Sequence, residues 1–418
     1  MRRFLILVCS LILIFEITLT TSAISHSADW HCYIVDDAWS GDTTLKLDSQ
    51  DLPYILYDQS SGLQLAYYNG FEWEYETIEG TDFGGCFSLV LDVQDHPHIS
   101  YHEWGNEALM YCYWDGSQWV IELVDDEDWA GSHNSIALDS SGYPHIAYDH
   151  YVFKGERDLR YAYKDEYGWH TEVVDDEQYH QGRYCSIALD FQDRPHISYR
   201  KNIEGNDWLS YAHWDGSQWL VETITEIAYF SNNTSIAADS QDQPHIAFVN
   251  GSHVAYAYSD GAEWVIEELD DYMGEVSLVL DSQEYPHIAY CNGDLGISYA
   301  RWNGSEWEIE VAWSDESSYL GQLSVSLDLD SEDKPHISCD EWDYGGIWYI
   351  WYGDPLTDIT LEQFSAHAED SAIALNWTVE TTPPMAGGEQ IAGFNLYRRD
   401  INNNIAAEVS NLGCIWTK

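Results

Sequence analysis

SLVLDSQEYPHIAYCNGDLGISYARWNGSEWEIEV, residues Ser277 to Val311, is one copy of a stretch that the chain writes seven times between Thr44 and Tyr352. Each copy is anchored by Pro followed by His, at Pro97, Pro144, Pro195, Pro244, Pro286 and Pro335, with Pro53 followed by Tyr54 in the first. From Pro53 to Pro335 the spacing averages 47 residues. A period of roughly 40 to 50 residues built from several short strand patterns points to propeller blades.

The third copy shows the anatomy. Strands are expected at Ser135 to Asp139, His145 to Tyr148, Leu159 to Tyr163 and Trp169 to Val174, with a turn through Ser141 and Gly142. Apolar residues fall on both faces, as in WVIELV from Trp119 to Val124, which suits sheets packed face to face around an axis. The seventh copy stops at WYGDP, Trp351 to Pro355, without its fourth strand. That strand is expected from the other end: Trp30 to Asp37 reads like Trp119 to Asp126 and precedes the first copy. The expected fold is all-β, a seven-bladed β-propeller over residues 24–355 whose N-terminal strand completes the last blade. Closure removes an exposed sheet edge.

Residues 1–23 have the order of a secretory signal peptide: Arg2 and Arg3, an apolar run from Phe4 to Phe15, then small residues from Thr20 to Ala23, with Ala28 as an alternative cleavage point. The run is shorter than the roughly 20 residues of a spanning helix, so a secreted or cell-surface protein without membrane insertion is expected. Cys9 lacks the preceding small residue of a lipoprotein signal. Seven cysteines remain beyond the leader (Cys32, Cys86, Cys112, Cys185, Cys291, Cys339 and Cys414), and their irregular spacing argues against a zinc site. With 73 acidic and 16 basic side chains the formal charge is −57, which is expected to repel nucleic acid, anionic lipid and sialylated or sulfated glycans and points to neutral, cationic or metal-bridged partners. The sequence leaves oligomeric state open.

Beyond residue 355 the repeat ends. LEQFSAHAEDSAIALNWTVE, a Pro383-Pro384 and Gly387-Gly388 break, and IAGFNLYRRD resemble the first half of a fibronectin type III domain, with Trp377 and Tyr397 in the places of that family's core aromatics. The resemblance implies an incomplete β-sandwich within residues 356–418, cut short of its full complement of strands.

Ser135, Asp139 and His145 suggest a nucleophile, acid and base. The same trio recurs in five other copies, at Ser88, Asp92, His98 and at the equivalents ending in His196, His245, His287 and His336. Six active sites in one ring are implausible; hydrogen bonding where blades meet accounts for the recurrence. The trio resembles the structural Asp, His and Ser/Thr network of WD-repeat propellers. The tryptophans opening each fourth strand (Trp30, Trp73, Trp119, Trp169, Trp219, Trp264 and Trp307) read as packing.

Variation marks the working face. Turns after strands one and three are short and uniform, whereas the loops after strands two and four, which emerge on the opposite face, vary in length and content. The strand-two loops carry Glu103, Trp104, Asp149, Tyr151, Asp340, Glu341 and Trp342; the strand-four loops carry Trp39, Phe83, Trp129, Tyr179, Tyr229, Tyr272 and Tyr319. Aromatic faces beside carboxylates and amides suit neutral sugars, so Trp39, Trp104, Trp129, Tyr151, Tyr179, Tyr229, Trp342, Glu103 and Asp149 are the candidate ligand-binding residues. Acidic runs at Asp125 to Asp128 and Asp175 to Glu177 raise calcium, but they lack the alternating spacing of a calcium loop and read as solvated loops; no cofactor is expected.

The blade pattern also resembles secreted bacterial sialidase-type propellers. That resemblance implies fold and not activity, because no Asp-box and no Tyr and Glu nucleophile pair align. Of the propeller's arginines, Arg157, Arg160, Arg183, Arg194 and Arg200 crowd into two neighbouring copies instead of three separate blades. The functional expectation is a binding module for extracellular carbohydrate or a cell-surface partner. The alternatives are a glycoside hydrolase using paired carboxyls among Glu103, Asp149, Asp340 and Glu341, and a scaffold that only presents other domains.

Overall fold

The computed structural model describes residues 30–37, 40–81, 86–127, 129–152, 156–176, 182–228, 233–261, 263–271, 274–292, 296–314, 324–340 and 346–353, and beyond them four strands. Seven antiparallel four-stranded sheets follow one another as blades. In blade 3 the strands are Ala130–Leu138, Pro144–Val152, Glu156–Asp165 and Gly168–Asp175, hydrogen-bonded in that order. First strands neighbour one another all the way round, with Val325–Leu329 of blade 7 meeting Thr43–Leu47 of blade 1, so these strands line the axis.

The ring closes as the strand count requires. Trp30–Asp36 pairs antiparallel with Ile347–Tyr352, placing Trp30 opposite Tyr352 and Tyr33 opposite Tyr349. Trp30, Cys32 and Val35 of this strand are buried while Tyr33 and Ile34 are exposed. The core is divided into wedges between blades. One of them joins Leu45, Ile55 and Ala66 of blade 1 to Val35, Ile347 and Trp351 of blade 7.

The repeated trio divides into two structural devices. Asp139 Oδ1 accepts the N–H groups of Ser141 and Tyr143 at 2.8 and 2.7 Å, closing the turn, and Oδ2 lies 3.7 Å from His145 Nε2. His145 Nδ1 meets the hydroxyl of Tyr161 on the third strand. Ser135 does not join them; its hydroxyl accepts the Ile187 N–H of blade 4 at 3.2 Å, as Ser186 accepts that of Ile236 and Ser277 that of Leu327. Serine therefore ties blade to blade, while Asp, His and Tyr brace one blade. Trp169 adds a further link by resting edge-on against Tyr111 of blade 2 at 5.2 Å and donating Nε1 to Glu122 at 2.9 Å.

Burial holds His145 below its ordinary pKa, opposed by Asp139, and its Nδ1 is engaged by the Tyr161 hydroxyl. His145→Ala should leave the Tyr161 hydroxyl without its partner and lower stability by about 1–3 kcal/mol in urea unfolding. Loss of ligand binding at unchanged stability would contradict this structural role.

The short-turn face is committed to the ring's own stability. Ser49 donates its N–H and hydroxyl to Asp95 of the next blade at 2.8 and 2.7 Å, and Ser140 does the same to Asp193, Ser282 to Asp333 and Ser331 to Asp51. The accepting aspartates sit at positive φ, between 59° and 63° for these four, the left-handed corner of the turn. Val93 replaces the donor in blade 2, and there the facing turn of blade 3 has Gly142 in place of the acceptor. Between blades 4 and 5 Phe191 replaces the serine while Asp242 is kept, and it accepts Arg194 instead at 2.9 Å.

Two readings from the sequence need correction. Asp149 and Tyr151 were expected in a loop, but Pro144–Val152 continues through them, with Asp149 opposite Leu159 and Tyr151 opposite Arg157. Asp149 is polar because it is paired inside the blade, and polarity alone imitates a loop. Asp125 and Asp175 are not solvated either: they are buried and accept the hydroxyls of Tyr148 and Tyr199 from the following blades.

Beyond the propeller, Ile359–Glu369 pairs with Ala372–Thr381, placing Phe364 opposite Trp377, and Tyr397–Arg399 pairs with Ile405–Glu408. These are two separate two-stranded sheets, and no sandwich is formed among the described residues. The leader at 1–23 lies outside the described residues.

Candidate functional site

Antiparallel order sends the loops after strands two and four to the face opposite the tied turns. Two positions of each repeat reach that face and vary between copies, the first of them with a different residue in all seven. The first stands two residues before the inner-strand Ser or Thr: Asp42, Cys86, His133, Tyr184, Asn233, Glu275 and Ser324. The second stands five residues after the anchoring Pro: Asp58, His102, Asp149, Arg200, Val249, Cys291 and Asp340. Neighbouring positions in the same strands hardly change, as with Ile55, Ile99, Ile146, Ile197, Ile246, Ile288 and Ile337. Comparing copies with one another exposes this signal, which reading along the loops misses.

Several members of the two sets share a space around the axis, whereas Val249 and Cys291 pack in the apolar wedges between blades. Cys86 of blade 2 feels Asp42 and Asp58 of blade 1, Asp149 of blade 3 and Glu275 of blade 6; these carboxylates join burial in pushing its thiol up. Tyr184 of blade 4 senses Cys86 and Glu275 across the ring.

One side of this mouth is acidic. Ser40 Oγ and the Gly41 N–H donate to Asp58 Oδ1 at 2.9 and 3.1 Å. Asp340 Oδ1 accepts the Ser324 N–H and hydroxyl at 2.6 and 3.1 Å, while its Oδ2 is buried without a partner among the described residues. Burial raises Asp340 to about 6. Burial and the field of Asp340 raise Glu275 to about 7. Asp42 is also pushed well above the ordinary range, by burial first and then by Glu275, Asp340 and Asp58. Carboxyls crowded this closely cannot all ionise at neutral pH.

The other side is basic. Asp149 receives Ser132 Oγ at 2.7 Å, the His133 N–H at 3.0 Å, His133 Nδ1 at 3.2 Å and a guanidinium contact from Arg157. Burial alone would raise it, but His133 and Arg157 hold it down at about 2. His133 lies against Tyr184 with ring centroids 4.4 Å apart. Arg200 donates to Asp207 at 2.5 Å, and Arg183 stands opposite Arg200 in the strand pairing.

The expected aromatic residues divide. Trp104 is 48% exposed in the turn after Pro97–Glu103. Trp129 is partly buried, holds φ at 57° and meets Trp104 edge-on at 5.7 Å; its other neighbour is His102, stacked at 6.0 Å. Glu103 is beside them and accepts the Asn106 amide at 2.5 Å. Tyr151 lies under Arg157, 5.4 Å from the guanidinium carbon to the ring centre. Trp39, Tyr179, Tyr229, Trp342 and Glu341 lie outside the described residues, as do Phe83, Tyr272 and Tyr319. Blade 2 therefore supplies a Trp104, Trp129 and Glu103 group, next to the arginines of blades 3 and 4. Glu103 and Asp149 are not equivalent as a hydrolytic pair, because both oxygens of Asp149 are engaged and it stays ionised. Among the described residues no three His, Cys, Asp or Glu side chains form a metal-holding group.

No family model and no curated protein matches this chain. Among solved structures it is similar to a polysaccharide lyase, ulvan lyase, bound to a glucuronic acid and sulfated rhamnose unit, with TM-score 0.55 and 14% identity over 77% of this chain and 95% of that one. A catalytically inactive virginiamycin B lyase from Staphylococcus aureus, with quinupristin, gives TM-score 0.54 at 8% identity over 77% and 98%. The Aleuria aurantia lectin with an α-methyl-L-fucoside gives 0.48 at 12% identity over 69% and 99%. At these identities the likeness is one of fold.

Proposed function

We propose that this propeller binds extracellular carbohydrate on the face that carries the loops after strands two and four. The observation that carries the reading is the half-exposed Trp104, propped edge-on by Trp129 beside Glu103 and Asn106. An indole face with a carboxylate at its rim offers stacking to a pyranose and an acceptor to its hydroxyls. The opposite face is occupied by the inter-blade turn bonds, which leaves this face for a ligand. The similar ulvan lyase carries a saccharide on a related ring, in keeping with the reading at the level of fold. Secretion or display at the cell surface is part of the same proposal and rests on the leader-like residues 1–23. So does the fibronectin-like reading of residues 356–418, which rests on the sequence resemblance.

A glycan screen followed by titration tests the proposal. At least one oligosaccharide should bind, and Trp104→Ala should weaken it by about 1 kcal/mol or more without changing the melt. If no glycan binds, the scaffold reading takes its place. A hydrolytic activity would find its protonated carboxyl in Glu275 rather than in Asp149, and cleavage products in the same screen would favour it.

A further inference from the structure

Arg183 opens the inner strand of blade 4 directly opposite Arg200. Like charges in that cross-strand position destabilise a sheet unless something neutralises them. Arg200 has Asp207, and Arg157 of blade 3 has Asp149 and the Ser132 hydroxyl. Arg183 has no counterpart: among the described residues no carboxylate forms an ion pair with it, and its Nε is buried without a hydrogen-bond partner. Arg157 Nε is orphaned in the same way. Burial and the fields of Arg157 and Arg200 all oppose the charge on Arg183, so the three guanidiniums share one neighbourhood.

This arrangement is costly and, in this chain, easily avoided. Carboxylates outnumber basic side chains 73 to 16, yet among the described residues none forms an ion pair with Arg183, and only the fields of Tyr184 and Asp149 favour its charge. A guanidinium left partly buried, unpaired and facing two others is suited to an anion from outside, which it would grip through paired N–H donors. Resting on the carbohydrate reading above, we propose that Arg183, with Arg157 and Arg200, forms a subsite for the anionic group of an acidic sugar, a carboxylate or a sulfate ester. The net charge of −57 argues for a neutral ligand only as an average over the surface; Arg157, Arg183 and Arg200 gather cations at this one place. Tyr184 and His133 flank the subsite, and the Trp104 platform in blade 2 lies on the same face, so a ligand of several sugar units would span stacking and charge recognition.

The test is calorimetric titration of the full chain with a uronic acid oligosaccharide, the same oligosaccharide after reduction of its carboxyls, and a sulfated neutral oligosaccharide. One of the two anionic probes should bind about tenfold or more tighter than the reduced one, and that preference should shrink in about 0.5 M salt. Which anionic probe wins distinguishes carboxylate from sulfate. Arg183→Gln should abolish the preference while leaving the melt unchanged or higher, because it removes an unneutralised charge; Arg183→Lys, which keeps charge but loses the planar fork, should retain part of it. Equal binding of reduced and anionic probes, or an undiminished preference in Arg183→Gln, would overturn the inference. If the reduced probe still binds and Trp104→Ala weakens it, only the arginine subsite fails. If none of the three binds, the carbohydrate reading fails with it.

Discussion

Deleting residues 24–38 should unfold the propeller or lower its melting temperature sharply, because the deleted strand is continuous with the chain of blade 1 and hydrogen-bonded into the sheet of blade 7, fastening the two ends of the ring. Trp30 is 1% exposed and lies edge-on to Tyr299 of blade 6 at 5.4 Å and to Tyr352 of blade 7 at 5.3 Å. Cys32 and Val35 are buried beside it. Each large side chain lost removes about 1.5–3 kcal/mol of burial, and the strand's ladder to Ile347–Tyr352 goes with it, leaving a raw edge. Against a typical domain stability of about 5–15 kcal/mol, this is most of the margin. Trp30→Ala alone should cost about 3–5 kcal/mol in urea unfolding. A synthetic peptide of residues 24–38 added in trans should restore part of the melt. If the truncated chain melts like the full one, the N-terminal strand does not close the ring.

Closure was legible because counting strands across seven copies is insensitive to the details of any one of them. The Pro and His anchor, the recurrent Trp and the orphan match at Trp30 all repeat, and repetition averages out local ambiguity. The site is less legible for the opposite reason: it is written once. Asp149 reads as loop because a polar residue paired inside a sheet has the same letter as one in water. The Tyr partner of each histidine, such as Tyr161 for His145, lies 16 residues away and becomes visible only with the strand register. The same holds for Arg183 and Arg200, separated by 17 residues and joined across the sheet. The ring of Asp42, Cys86, His133, Tyr184, Asn233, Glu275 and Ser324 was within reach of the sequence, since it is the position where otherwise similar copies disagree most. Looking for aromatics in loops drew attention to the rim and away from this inner circle.

The acidic half of that circle sets the largest pH effect expected of the fold. Glu275 rises from an ordinary 4.5 to about 7 and Asp340 from 3.8 to about 6, each through burial first, with Asp42 raised in the same way. A raised carboxyl binds more protons in the folded than in the unfolded chain at intermediate pH, so unfolding free energy falls as pH rises. The penalty is absent below about pH 4, grows through the folded values and is complete above about pH 7. Asp149, held at about 2, acts oppositely, adding stability that is lost only as pH falls below the ordinary carboxylate range. Stability should therefore peak near pH 4 to 6 and decline toward pH 8. Glu275→Gln keeps the Asn233 contact and the Val325 N–H within reach of an amide oxygen while removing the charge that faces Asp340 and Asp42. It should raise stability at pH 8 by about 1–3 kcal/mol and change little at pH 5. Urea unfolding of both chains across that range is the measurement. A wild-type profile that climbs from pH 5 to 8, or a Glu275→Gln chain weaker at pH 8, would show that these carboxyls do not crowd one another at the mouth of the ring.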